Sequence, residues 1–419
     1  MKRFYFILLL SLCFRLGASV LQAGDLSVVG TTDKETALYQ PGETMLFSVR
    51  VLEDGKPVAG KNLKWTRTGD DAKTETGTAV SSASGPLALS TSLDVPGFVR
   101  IEVALVDEAG KPVMDAQNKP IRFDGGAGVD VEKLDGVPEP ADFDAFWARQ
   151  KARLAEVPMK FTLTEVASPD PAFTVYDVKI DCAGGKPVSG YFTKPRNAAS
   201  NSLKAHATYN GYGVASAAIR CEKDTLMLNI NAHGIENGKD PDFYKNLKEG
   251  ELKGYAFNND ENAKPETAYF NGMILRVLRA LEFLKSQPEW NGKDLLVSGG
   301  SQGGFQSLAA AALDKDVTRC DTFIPWCCDL GGITLGRLRG WRPDDAPGLA
   351  YYDGANMAKR ITCPVTIVAG LGDYTCPPSG ICVLYNNLKS AASRRLEFIQ
   401  GKTHAYTPPS GQRFVLKSE

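Results

Sequence analysis

The stretch Gly299-Gly300-Ser301-Gln302-Gly303 constrains this chain more than any other. An apolar run, 295–297, precedes it, and an alanine-rich helical run, 306–313, follows it. A G-x-S-x-G motif between a strand and a helix has the form of a nucleophile elbow. The serine occupies a turn so tight that its neighbours need almost no side chain, and the turn pushes the hydroxyl out above the sheet. It also stands at a helix N-terminus, where free amides favour the negative charge of an attacked carbonyl.

The surrounding texture supports this reading. From about residue 160 strands and helices alternate, with candidate strands at 176–180, 188–192, 205–209, 226–230, 295–297, 322–325, 365–369 and 396–399. The clearest helix covers 270–287. Met273, Ile274, Val277, Leu278, Leu281 and Leu284 follow its repeat, and Pro288 ends it. Such alternation predicts an α/β fold of the α/β-hydrolase type, a mostly parallel sheet with helices on both faces.

Residues 24–125 read differently. Short apolar runs at 26–29, 45–51, 63–67, 87–93 and 98–105 are separated by turn signals such as Gln40-Pro41-Gly42 and Glu53-Asp54-Gly55. This predicts an immunoglobulin-like β-sandwich. A spacer or positioning role suits it; a carbohydrate-binding role is the alternative, around its only tryptophan, Trp65, and only tyrosine, Tyr39. Gly125-Gly126-Ala127-Gly128 reads as a flexible joint to a catalytic domain over 126–419. That domain opens on an amphipathic helix running to about Leu154, with Phe143, Phe146 and Trp147 on one face.

Residues 1–23 have the pattern of a signal peptide: Lys2 and Arg3, a short apolar run, then small residues up to Ala23. Export to the periplasm, cell surface or medium is expected, and lipid attachment at Cys13 is the less favoured variant because Leu12 is bulky. No other apolar stretch is long enough for a transmembrane helix. The 48 basic and 49 acidic residues form no block of like charge, which argues against nucleic acid or an anionic membrane as partner. Eight of the nine cysteines lie beyond the leader; disulfides and buried thiols both remain open for them. They show no paired CxxC spacing, so neither a metal nor any other cofactor is expected.

A serine nucleophile needs a base, and histidine suits that work near neutral pH. The chain has three histidines, and only His404 follows Ser301 as the order Ser, acid, His requires. His206 starts a strand and reads as structural. His233, in a loop at the catalytic end of the sheet, is a candidate substrate contact. The acid falls to Asp373, in Gly370-Leu371-Gly372-Asp373 after the strand 365–369; Asp329, Asp344, Asp345 and Asp353 all precede that strand. Asp373 would orient the imidazole and stabilise its protonated form. The oxyanion amides fall to Gln302, after the nucleophile, and to Tyr212, in the loop after the strand 205–209.

Several separated motifs, in order, resemble the acetyl xylan esterase and cephalosporin C deacetylase family. They are Gly299-Gly300-Ser301-Gln302-Gly303-Gly304, the preceding Leu281-Glu282 and Gln287-Pro288-Glu289, the loop Gly370-Leu371-Gly372-Asp373 with Cys376-Pro377-Pro378-Ser379 and Tyr385-Asn386, and the opening Ala141-Asp142-Phe143-Asp144-Ala145-Phe146-Trp147. The likeness covers roughly residues 137–407. It implies deacetylation of xylan, acetylated sugars or small esters, with Ser301, Asp373 and His404 as triad and the amides of Tyr212 and Gln302 as oxyanion hole. Asn210 stands where the family has histidine in His-Gly-Tyr, Asn231-Ala232-His233-Gly234 where it has Arg-Gly-Gln, and Ala405 where it has glutamate. These departures leave acyl specificity and the family's ring-like oligomer open. Two other readings stand beside this one: an esterase or peptidase of different specificity on the same fold, and a glycan-binding protein with an inactive hydrolase domain.

Overall fold

In the computed structural model, which describes residues 25–417, the two textures of the sequence become separate sheets. The expected leader lies outside the described residues. The N-terminal strands are β1 (Leu26–Thr32), β2 (Leu38–Tyr39), β3 (Met45–Glu53), β4 (Lys56–Pro57), β5 (Asn62–Gly69), β6 (Glu75–Val80), β7 (Leu87–Thr91), β8 (Gly97–Leu105) and β9 (Arg122–Val129). On β3 the alternate residues Met45, Phe47, Val49 and Val51 are buried, and on β8 Val99, Ile101, Val103 and Leu105, the period-two pattern of a sheet with one covered face. One sheet orders as β1-β3-β4 with β7 also on β3; the other orders as β2-β9-β8-β5-β6.

The glycines expected to form a joint do something else. Gly125, Gly126 and Gly128 lie inside β9, buried and paired antiparallel with β8. A Cβ at each would meet a neighbour, Gln400 and Phe123 at Gly125, the Val99 carbonyl at Gly126 and Val131 and Phe98 at Gly128, so close packing accounts for them without a bend in the backbone.

The remaining strands are β10 (Phe161–Val166), β11 (Phe173–Ile180), β12 (Val188–Pro195), β13 (Leu203–Tyr209), β14 (Thr225–Ile230), β15 (Trp290–Gly300), β16 (Arg319–Phe323), β17 (Val365–Gly370), β18 (Arg394–Ile399) and β19 (Arg413–Lys417). They form one sheet, β10-β11-β12-β14-β13-β15-β16-β17-β18-β19, parallel from β14 to β18 and antiparallel at both ends. The order reverses around β13, with β14 on one side and β15 on the other. Ligands of open α/β sheets bind outside the carboxyl ends of strands at such a switch point.

The helices are α1 (Phe143–Ala155), α2 (Pro241–Glu249), α3 (Asn259–Asn262), α4 (Tyr269–Lys285), α5 (Gln302–Leu313), α6 (Gly354–Ala358) and α7 (Pro378–Asn387). Helices α1, α4, α5, α6 and α7 touch one another in that order and form one layer, into which α4 buries Met273, Ile274, Val277, Leu278, Leu281 and Leu284. The opposite face of the sheet is only half covered. His206, Leu296, Ser298, Asp321, Thr366 and Glu397 are half-buried there and Phe323 is exposed. The expected helices on both faces are thus found on one. The connection from β13 to β14 contains no helix, and among the described residues β18 is followed by β19 with no helix between them.

Candidate active site

Ser301 joins β15 to α5 with φ 55° and ψ −120°, outside the regions most side chains adopt. Close packing holds it there. A Cβ on Gly299 would lie 2.5 Å from Gly303, and a Cβ on Gly303 would lie 2.2 Å from the Tyr209 carbonyl. The Ser301 N–H donates to the Phe323 carbonyl (2.9 Å), and its own carbonyl accepts from Phe305 and Trp326 (3.1 and 3.0 Å). The strain is therefore paid for by neighbouring strand ends, as at many catalytic turns.

Asp373 and His404 come from the loops that follow β17 and β18. His404 Nδ1 lies 2.9 Å from Asp373 Oδ2 and 3.2 Å from Oδ1. Oδ1 also accepts from the backbone N–H groups of Thr375 and Cys376, both at 3.0 Å, so the fully buried carboxylate is locked by its own loop. Among the described residues Ser301 makes no hydrogen bond to His404; such contacts commonly tighten only around substrate. Cys376 ties the two together. Its Sγ lies within 4.8 Å of a ligand atom of both Asp373 and His404, and Ser301 is among its polar neighbours. Burial pushes this thiol well above its ordinary pKa, so it stays protonated and is a poor nucleophile.

The loop after β13 passes over the serine. A Cβ on Gly211 would lie 3.9 Å from Ser301 Cβ, so the backbone leading into Tyr212 runs beside the nucleophile candidate. The Gln302 amide is at the first position of α5, where no partner exists within the helix. Tyr255 links the two. Its hydroxyl accepts from the Gly213 N–H (2.8 Å) and donates to Gln302 Oε1 (3.0 Å), while its ring stacks on Tyr212 at 4.1 Å and 9°. Tyr255 lies in an irregular stretch between α2 and α3, and no local motif in the sequence marks it.

His233 is buried beside the loop after β13. It is 3% exposed; Nε2 meets the Gly213 carbonyl at 2.9 Å and Nδ1 meets the Tyr269 hydroxyl at 2.6 Å. A neutral ring satisfies both partners, donating from Nε2 and accepting at Nδ1. Burial, with a smaller push from the Arg276 charge, lowers its pKa to about 4. Both nitrogens of this candidate substrate contact are occupied by partners within the protein, and the ring braces the loop that carries Gly213. His206 faces Ser298 (2.8 Å) and Glu222 (3.1 Å) on the half-covered face of the sheet. Asp353 accepts backbone N–H groups from Asp329, Leu330 and Ala355 and supports the 329–355 excursion. Trp341, 42% exposed, stacks on Trp326 at 5.2 Å and edges onto Tyr212 at 4.7 Å, forming an aromatic wall beside the loop.

Residues 134–335 and 346–417 match the family described as acetyl xylan esterase (AXE1). The chain belongs to that family. The acetyl esterase Axe7A of Xylanibacter ruminicola is 30% identical over 264 residues, which cover 59% of this chain and 60% of that protein. The match thus spans about three fifths of the curated relative's length. Two solved structures are similar in fold. The acetyl xylan esterase from Paenibacillus sp. R4 is 24% identical with a TM-score of 0.52, covering 65% of this chain and 93% of that one. Acetyl xylan esterase 1 from Thermoanaerobacterium sp. JW/SL YS485 is 22% identical with a TM-score of 0.53, covering 67% and 93%. The fold is that of the α/β-hydrolases. Within this acetyl xylan esterase family member, Ser301, Asp373 and His404 all fall in the matched residues, whereas β1 to β9 lie ahead of them.

Proposed function

We propose that the protein is a serine esterase that removes acetyl groups from xylan or acetylated oligosaccharides. The observation that carries this reading is the Asp373–His404 pair, formed by two loops at the same sheet end as the strained Ser301. Ser301 Oγ attacks the ester carbonyl as His404 Nε2 takes its proton. The Tyr212 and Gln302 amides hold the resulting oxyanion. Collapse breaks the bond to the sugar oxygen, which receives the proton from His404, and leaves acetyl on Ser301. Water, activated by the same imidazole, then releases acetate and restores the serine.

The acetylated-sugar substrate is supported by family membership and by the aromatic wall around Trp341, a surface suited to a sugar face. The N-terminal strands, read as an immunoglobulin-like sandwich over 24–125, and export directed by residues 1–23 belong to the same proposal. Ser301→Ala should lower acetate release from acetylated xylo-oligosaccharides by about three orders of magnitude or more. A folded Ser301→Ala variant that keeps wild-type activity contradicts it.

A further inference from the structure

Strand β9 lies between β8 and β2 in its sheet, but β2 pairs only with Gly128 and Val129. The other edge of β9, from Asp124 to Gly126, therefore has no strand beside it in that sheet. The catalytic region fills the gap. The Gly126 N–H donates to Gln400 Oε1 (2.9 Å), and Gln400 Nε2 donates to the Gly126 carbonyl (2.8 Å). One side-chain amide thus makes the two bonds that a neighbouring strand would make. Gln400 is buried and immediately precedes the loop that carries His404.

The acid loop rests on the same strand. A Cβ on Gly372 would lie 1.9 Å from the Asp124 carbonyl, and one on Gly126 would lie 3.1 Å from the Leu371 carbonyl. Only glycine permits the approach at Gly372; at Gly126 the tightest clash, 2.6 Å, is with the Val99 carbonyl of β8. Asp124 is itself fixed by Arg100, with Nε to Oδ1 at 2.8 Å and Nη2 to Oδ2 at 2.5 Å. The Arg100 guanidinium then covers the ring of Tyr374 at 4.5 Å, next in sequence to Asp373. The two loops are also bonded to each other, through Gly372 N–H to the Lys402 carbonyl at 3.0 Å. A second latch reaches the acid loop from the far side. Buried Asp70 accepts from the Leu338 N–H (2.9 Å), and the nearby Trp341 N–H donates to the Thr375 carbonyl (3.0 Å).

We propose that the N-terminal region is a working part of the esterase: β9, through Gln400 and Arg100, positions the loops that carry Asp373 and His404. Gln400 and Arg100 are positioning residues that act through those loops. The inference rests on the triad reading above. It assigns the N-terminal strands a role in turnover that a spacer or a separate carbohydrate-binding module would not have.

The test uses the full-length protein and a small acetate ester, with active sites titrated to completion by a serine-reactive phosphonate. Gln400→Ala should lower kcat per titrated site about tenfold to a hundredfold with KM nearly unchanged, because a loop shift of about 1 Å misaligns acid and base. Arg100→Ala should lower kcat in the same way, and Arg100→Lys, which keeps the cation over Tyr374, should recover much of it. Val49→Ala, in the N-terminal core on β3, serves as a control for destabilisation alone and should keep wild-type kcat per site. Wild-type kcat per site in both alanine variants overturns the proposal, as does an equal loss in Val49→Ala. If Gln400→Ala fails to fold, the Arg100 pair decides. Asp373→Asn in the same assay separates the two ideas: if it keeps full activity, the triad reading fails, and if it is inactive while the positioning variants are normal, only the positioning role fails.

Discussion

The two halves of the proposed active site are supported in different ways. The half proposed to hold the oxyanion is supported by its own region of the chain. Tyr255 joins Gly213 to Gln302, and His233 and Tyr269 brace the same loop from below. The acid-and-base half leans on distant sequence. Gln400 and Gly372 pack on a strand nearly 250 residues or more away along the chain. The loop proposed to bind the oxyanion through its amides is therefore propped by side-chain hydroxyls and an imidazole that can each be removed singly. The loops of the acid and base rest on β9 through the side chains of Gln400 and Arg100 and through one backbone contact, at Gly372, that only glycine allows. Perturbing the first half should weaken charge stabilisation, and perturbing the second should misplace a proton acceptor.

The sharpest contrast comes from the acid itself. Asp373→Asn keeps the shape of the loop but favours the wrong imidazole tautomer, and kcat should fall by about four orders of magnitude. Tyr255→Phe tests the other half. Loss of the hydroxyl frees the Gly213 N–H and the Gln302 side chain together, and kcat should fall about tenfold to a hundredfold with little change in melting temperature. If Tyr255→Phe matched Asp373→Asn, the two halves would not be separable.

His233 offers a pH test. Its pKa is about 4 in the folded protein, below the ordinary imidazole value near 6.5. The unfolded chain therefore binds the extra proton between those values, and the stabilising contribution is present above about 6.5 and lost as pH falls toward 4. That loss amounts to up to about 3 kcal/mol. Melting temperature measured across this window should fall less steeply with acidification in His233→Gln than in the wild type. Equal slopes would mean that the buried imidazole is not held neutral. The smallest effect is expected at Cys376. Cys376→Ala should keep kcat within about threefold, because a protonated thiol beside the serine shapes the site without reacting. A loss comparable to that of Tyr255→Phe would give the thiol a part in the chemistry.

Much of this layout is legible in the sequence, for identifiable reasons. The elbow at Ser301 is readable because the turn demands glycines, and the predicted helix over 270–287 is found as Tyr269–Lys285 because its apolar period is strong. Asp373 and His404 could be singled out by strand order alone, and the structure brings them into contact. Other features depend on tertiary contacts that leave no local mark. Gly125, Gly126 and Gly128 look like a linker by composition, yet each is closely packed, Gly125 by Gln400 and Phe123, Gly126 by the Val99 carbonyl and Gly128 by Val131 and Phe98. His233 stands at the right end of the sheet for a substrate contact, but Gly213 and Tyr269 occupy it. Tyr255, Gln400 and Arg100 act through partners far away in the chain. Strand β10 leaves little mark in the sequence because its residues are mostly exposed with polar residues between the apolar ones, and β19 because it is a short edge strand.

The most direct measurement is the acyl-enzyme itself. Rapid-quench mass spectrometry of the wild-type protein mixed with acetylated xylo-oligosaccharide should find a single acetyl group on the peptide containing Ser301, absent in Ser301→Ala. Turnover with no acetylated protein at any quench time, or acetyl carried by another residue, would contradict the account.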